Sequence, residues 1–140
     1  MSNCIFCDIL AEKLPSSQVY QDEVCTVLMD IQPVNPGHML IVPNRHAAFL
    51  ADLDEDTGAQ MFRVAQRLGK ALRQSGVKCE GINFFLADGE AAMQEVFHVH
   101  LHVFPRYVGD GFGLKFGPAY DDKPNRDILD EIARKIKKAL

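Results

Sequence analysis

Residues 96–104 read Val-Phe-His-Val-His-Leu-His-Val-Phe. His98, His100 and His102 stand at every second position, with Val99, Leu101 and Val103 between or after them. A period of two is the signature of a β-strand, because successive side chains leave it on opposite faces. A helix would spread these imidazoles around its circumference. The stretch therefore predicts a strand over 96–104, closed by Pro105. Its apolar residues would anchor on a core, and the three rings would share the other face.

The neighbouring segments fit a sheet built around that strand. Val19–Ile31 suggests two short strands about a turn at Gln21-Asp22-Glu23, and Pro33-Val-Asn-Pro-Gly37 is a strong turn signal. His38–Pro43 then reads as a buried strand that forms a hairpin with Cys25–Asp30, and 82–87 is another apolar run of strand length. Met61, Val64, Ala65, Leu68, Ala71 and Leu72 recur at spacings of three and four, which predicts one long helix over 55–75. A short helix is expected over 4–13, ahead of Pro15. A C-terminal amphipathic helix is expected through Ile128, Leu129, Ile132, Ile136 and Leu140. Only one long helix separates the strands. The expected class is α+β, an antiparallel sheet of about five strands with one long helix and a C-terminal helix. The whole chain, 1–140, reads as a single domain.

Charge narrows the partners. A net charge of −4 gives no overall basic footprint, which argues against long nucleic acids, though a local site on an acidic chain can still take a small anion. No run approaches the roughly 20 apolar residues of a membrane helix. The start, Met1 to Pro15, lacks the basic and apolar regions of a signal peptide, so a cytoplasmic location is expected. In that compartment Cys4, Cys7, Cys25 and Cys79 are expected as thiols or metal ligands rather than disulfides.

Three imidazoles on one strand face have three readings. They are outward polar residues, ligands to a metal through His-x-His, or groups for covalent and acid–base chemistry. The preceding loop, Ala87 to Val96, is small and polar and could present backbone N–H groups to an anion. An anion held beside the central ring would favour the third reading.

Together these stretches resemble the histidine triad (HIT) family of nucleotide hydrolases and transferases. His98–Phe104 matches its His-x-His-x-His-x-x signature with x apolar, 29–43 is similar to its nucleotide-binding hairpin, and 88–106 is similar to its phosphate loop and triad strand. The resemblance implies that His100 is the nucleophile on an α-phosphorus. His102 would hydrogen-bond the ring or phosphate with help from His38, and His98 would orient the strand. It implies that Gln94 contacts the α-phosphate or leaving group, that Asp30 binds ribose hydroxyls and that Ile31 borders the base. Glu95 is grouped with the nucleotide-binding residues. Met93, Glu95 and Ala87 depart from the family pattern, which often has Gly, Ser or Thr, and Asn or Gln there.

The implied activity is hydrolysis of nucleoside phosphoramidates such as AMP conjugates. The alternatives are a dinucleoside polyphosphate hydrolase or nucleotidyl transferase, and a non-catalytic nucleotide- or metal-binding protein. A homodimer is also implied. Cys4-Ile-Phe-Cys7 is a Cys-x-x-Cys pair that reads either as buried thiols or as half of a zinc site. Some family members carry a structural zinc on such a pair plus two histidines, for which His46 and His98 are the completions.

Overall fold

Cys25–Met29 and Met39–Pro43 are the most continuously apolar stretches of the chain, and such strands are stable only when covered on both faces. In the computed structural model, which describes residues 3–140, they form the middle of the sheet as β2 and β3, and every residue of β3 is buried. β1 (Gln18–Gln21), β4 (Gly81–Phe85) and β5 (Leu101–Arg106) complete it. Among the described residues the strand order is β1-β2-β3-β5-β4, and every neighbouring pair is antiparallel. The fold is the expected α+β, with α1 (Ile5–Leu10), α2 (Glu55–Gln74) and α3 (Arg126–Ala139).

Strand alternation sorts the core into two layers. Cys25, Val27, Met39, Ile41, Val99, Leu101 and Val103 pack against Met61, Val64, Ala65, Leu68 and Leu72 of α2. Leu28, Leu40 and Val42 point the other way and meet Phe6 of α1. A fully buried aliphatic side chain contributes roughly 2 kcal/mol, so the first layer is the anchor that holds β5 rigid. The predicted helix over 55–75 is α2, capped at its N-terminus by Asp54, whose carboxylate accepts the Thr57 N–H at 3.1 Å.

Two boundaries differ from expectation. The triad strand begins at Leu101, not Val96, and runs through Pro105 rather than ending before it. Ile41 pairs with Leu101, so further pairing toward the N-terminus would bring in Pro43, which has no N–H to donate. The Val99 N–H turns instead to Ala47 O at 2.8 Å. Pro105 is tolerated because β3 pairs with β5 only as far as Val103, and the Pro105 carbonyl accepts from Asn35 Nδ2 at 3.0 Å. The first helix is also shorter than 4–13. Glu12 takes a left-handed φ of 60°, and the Glu12 and Lys13 N–H groups fold back to Ile9 O and Asp8 O, which closes α1 in a Schellman turn.

Gly37, in the predicted turn before His38, has φ +104°, and a Cβ there would lie 2.9 Å from Val77 Cγ1. Both conformation and space exclude a side chain. Gly37→Ala is expected to lose roughly 2 kcal/mol of stability, read as a lower urea midpoint at unchanged m-value.

The chain divides into two compact units, one ending at Asp110 and the other Gly111–Leu140. The second carries a stacked Phe116–Tyr120 pair and α3, whose N-cap Asn125 accepts the Ile128 N–H at 3.1 Å. No helix among the described residues is long and apolar enough to cross a membrane.

Candidate active site and metal centre

His98 and His100 precede the regular strand, and a bend runs through His98, yet Val99 still packs in the α2-facing layer while the rings on either side of it meet Phe6. His98 and His100 ring faces both meet Phe6, at centroid distances of 5.7 and 5.0 Å, and His102 lies 4.9 Å from His100. The three imidazoles therefore share the face opposite α2, as the sequence implies. His98 is fully buried and His100 is 8% exposed.

Hydrogen bonds assign each ring a distinct protonation pattern. His100 Nδ1 lies 2.8 Å from the His98 carbonyl, which can only accept, so Nδ1 carries the proton and Nε2 carries the lone pair. The Val34 N–H donates to His38 Nδ1 at 2.9 Å, so neutral His38 is protonated at Nε2. That N–H faces His102 Nδ1 at 2.8 Å, with Asp30 Oδ2 farther away at 3.4 Å. His102 Nδ1 is then the acceptor, and its Nε2 bears a proton. The relay ends with a donor at His102 beside an electron pair at His100.

Electrostatics keep His38 and His102 neutral. Burial, with the neighbouring His100 and His38 imidazoles adding to it and the Asp30 carboxylate opposing it, pushes the His102 imidazole down to about 4. Burial also pushes His38 down, against the pull of the Asp30 carboxylate. Unfolded His102 regains the ordinary value near 6.5, so between about 4 and 6.5 the unfolded chain binds more protons than the folded one. Its contribution to stability is full above pH 6.5 and is lost as pH falls toward 4, by on the order of 3 kcal/mol. Urea midpoints at pH 7.5 and 5 should differ accordingly, and His102→Gln should flatten that dependence. Equal slopes in the two proteins would contradict it.

The loop before the triad is braced by a side chain that was expected to do something else. Gln94 is buried, with Oε1 accepting the Gly89 N–H at 2.8 Å and Nε2 donating to Ala48 O and Val96 O at 2.8 and 3.1 Å. Both amide hydrogens are engaged, so Gln94 braces the loop that leads into the triad. Gly89 has φ +99° and ψ 158°, a region that only glycine enters readily. Met93, where many relatives have glycine, takes φ +70° and stands 72% exposed. The backbone keeps a glycine-like turn there, which a side chain occupies at some cost in strain. Glu95 is exposed, and Ala87 is buried. Asp30 Oδ1 accepts the Gln32 N–H at 2.8 Å, and Ile31 beside it is 96% exposed.

A second cluster adjoins the triad. His98 Nδ1 lies 3.3 Å from Cys4 Sγ, 3.6 Å from Cys7 Sγ and 3.2 Å from His46 Nδ1, and Cys7 Sγ lies 3.4 Å from His46 Nδ1. The four ligand atoms are all within 4.8 Å of one another. Zinc–ligand lengths of about 2.3 Å to sulfur and 2.0–2.1 Å to nitrogen give, at tetrahedral angles, N···N near 3.3 Å and S···N near 3.6 Å. The observed spacings fit such a centre. His98 Nε2 faces the Pro43 carbonyl at 2.8 Å, which puts the proton there and leaves Nδ1 as a ligand atom. The cluster brings together the four residues Cys4, Cys7, His46 and His98, and helix entry explains half of it. Cys4 is the N-cap of α1, and its sulfur accepts the Cys7 N–H at 3.5 Å.

Sequence reasoning assigned no role to Phe6, whose ring touches both His98 and His100. Its position inside Cys-x-x-Cys was the available signal. The corner Asn35–Asp110–Arg106 was also missed. Asp110 is bound by Arg106 through two nitrogens, at 2.6 and 3.0 Å, and by Asn35 at 2.8 Å. It secures the end of β5 to the turn that carries His38.

Comparisons with known proteins identify the family and the fold. The HIT domain family model matches residues 11–109. A HIT family protein from Bacillus subtilis has a crystal structure that superposes with a TM-score of 0.90 at 36% identity, covering 99% of this chain and 98% of that one. A zinc-bound histidine triad family protein from Mycobacterium smegmatis superposes with a TM-score of 0.76 at 36% identity, covering 99% and 98%. The adenosine 5'-monophosphoramidase of Saccharomyces cerevisiae is 36% identical over 103 residues, 74% of this chain and 62% of its own length. The chain belongs to the histidine triad family.

Proposed function

We propose that the protein is a nucleotide phosphoramidate hydrolase that works through a nucleotidyl-histidine intermediate at His100. The single observation that carries this is the His100 Nδ1–His98 carbonyl bond of 2.8 Å, because it directs an electron pair from Nε2 into the site. In the first step Nε2 bonds to the α-phosphorus, the phosphorus–nitrogen bond to the leaving amine breaks, and the amine takes a proton from solvent as it departs. In the second step water attacks the phosphorus and gives up a proton to solvent, the bond to Nε2 breaks with its electron pair returning to the ring, and a nucleoside monophosphate is released. His102 Nε2–H would donate to a phosphoryl oxygen, since phosphoryl transfer needs fixed donors more than proton transfer. Loop N–H groups would do the same. Asp30 would hold the ribose through its carboxylate, with the exposed Ile31 against the base. Glu95, exposed at the loop end, would face the leaving group.

Support also comes from the yeast relative named as an adenosine 5'-monophosphoramidase. A dinucleoside polyphosphate substrate is the second reading, because the same residues would serve it and only the leaving group differs. Steady-state rates on an AMP-amine and on a diadenosine polyphosphate separate the two. The expected outcome is kcat/KM at least tenfold higher for the AMP-amine, and the reverse order would replace the first reading by the second.

The Cys4, Cys7, His46 and His98 cluster would hold zinc as a structural ion. It would supply a fixed cross-link between the start of α1 and the triad segment, and the M. smegmatis relative described as zinc-bound supports this. A homodimer, which the family resemblance implies, working in the cytoplasm completes the proposal.

A further inference from the structure

His98 belongs to both clusters at once. Its ring faces the Cys4, Cys7 and His46 ligand atoms through Nδ1, while its backbone carbonyl accepts the His100 Nδ1–H at 2.8 Å. Phe6 forms a second link. It sits between the two cysteines in sequence and lies edge-on to both His98 and His100.

We infer that metal binding at Cys4, Cys7, His46 and His98 positions the nucleophile, by fixing the His98 carbonyl that selects the Nδ1–H tautomer of His100. This rests on the function proposed above. The physical argument is one of constraint. With Nδ1 ligated and Nε2 bonded to Pro43 O, the His98 ring is held at both nitrogens, so its peptide group has little freedom. With Nδ1 unligated, the ring keeps the Pro43 bond and its edge contacts with Phe6 and His46 but loses the directional tie at Nδ1, a nitrogen crowded by two sulfurs and a second imidazole. The carbonyl then shifts away from its ideal position, and His100 gains access to the tautomer with Nε2–H, which has no electron pair to attack with. Phe6 loosens with the cysteines and no longer holds the His100 ring against rotation. His98 and Phe6 are positioning residues here, since neither reaches the reacting atoms.

The test uses the full chain, stripped by chelator and reloaded with zinc(II), together with Cys7→Ser and His46→Gln, which alter ligands that do not touch His100. Zinc content and circular dichroism are recorded on each sample. The ¹⁵N shifts of His100, taken at one fixed pH, read its tautomer without reference to activity. The loaded protein is expected to hold one zinc and a single Nδ1–H tautomer. The stripped protein and both variants are expected to stay folded and to show a mixture of tautomers. Their kcat is expected to fall about tenfold or more, with KM changed less than threefold. Added zinc should restore the stripped protein but not the variants. An unchanged tautomer on zinc loss overturns the inference, as does a failure to take up zinc. A stripped protein that unfolds leaves the decision to His46→Gln, because that exposed ligand is the least tied to the core. Loss of all turnover in every sample, with the tautomer shift intact, would refute the hydrolase reading and leave the positioning inference standing.

Discussion

Replacing His100 by alanine is expected to lower kcat/KM on an AMP-amine by about 10⁴-fold or more while nucleotide affinity changes little. Removal of a covalent nucleophile eliminates the two-step route altogether, so the loss is of the size seen when a catalytic nucleophile is deleted. What survives is the weaker catalysis of water attacking a phosphate held by loop N–H groups and His102. Affinity is expected to be spared because Asp30 and Ile31, proposed to hold the nucleoside, stand on the β2–β3 connection and not on the triad segment. His102→Ala should cost less, because it removes one donor and not the reacting atom. The truncation leaves space beside Phe6, so stability must be measured alongside. The result is checked by steady-state kinetics and by equilibrium binding of AMP to each variant.

Zinc removal is expected to lower the melting temperature by more than 10 °C. A ligand that binds only the folded chain stabilises it by RT ln(1 + [L]/Kd), about 4 kcal/mol at a thousandfold excess over Kd. In a domain of this size 1 kcal/mol shifts the midpoint by a few degrees. The ligand geometry supports tight binding, since the His46–His98 Nδ1 spacing of 3.2 Å already matches a tetrahedral centre. Calorimetry with and without chelator measures the shift, and Cys4→Ser should abolish the chelator response. A melting temperature insensitive to both would mean that the four residues are thiols and imidazoles in contact, without a resident ion.

Most of the fold was legible because its signals are local. The alternation through His102, the Pro33–Gly37 turn and the three-and-four spacing of Met61 to Leu72 each need only neighbouring residues to be read. The boundaries of β5 were not legible, since they depend on Pro43 of a distant strand refusing a hydrogen bond. The end of α1 was missed by three residues for a related reason, as a left-handed Glu12 has no residue-type signature. In the site, sequence placed the three imidazoles on one face but could not orient their protons. That orientation comes from the Val34 N–H, the Pro43 carbonyl and the His98 carbonyl, backbone groups that carry no residue identity. Gln94 adds a second structural fact the sequence did not carry, since its three bonds to Gly89, Ala48 and Val96 brace the loop through backbone groups of three separate positions.

The proposed chemistry stands on a bond between His100 Nε2 and phosphorus. Rapid mixing of excess AMP-amine with the protein, quenched in alkali within the first turnover and mapped by mass spectrometry, measures it most directly, because a phosphorus–nitrogen linkage survives base. The expected result is one AMP adduct per site on the peptide carrying His100, formed before free AMP accumulates and absent in His100→Ala. Turnover at full rate with no adduct on any histidine, or with the adduct on His98 or His102, would contradict it.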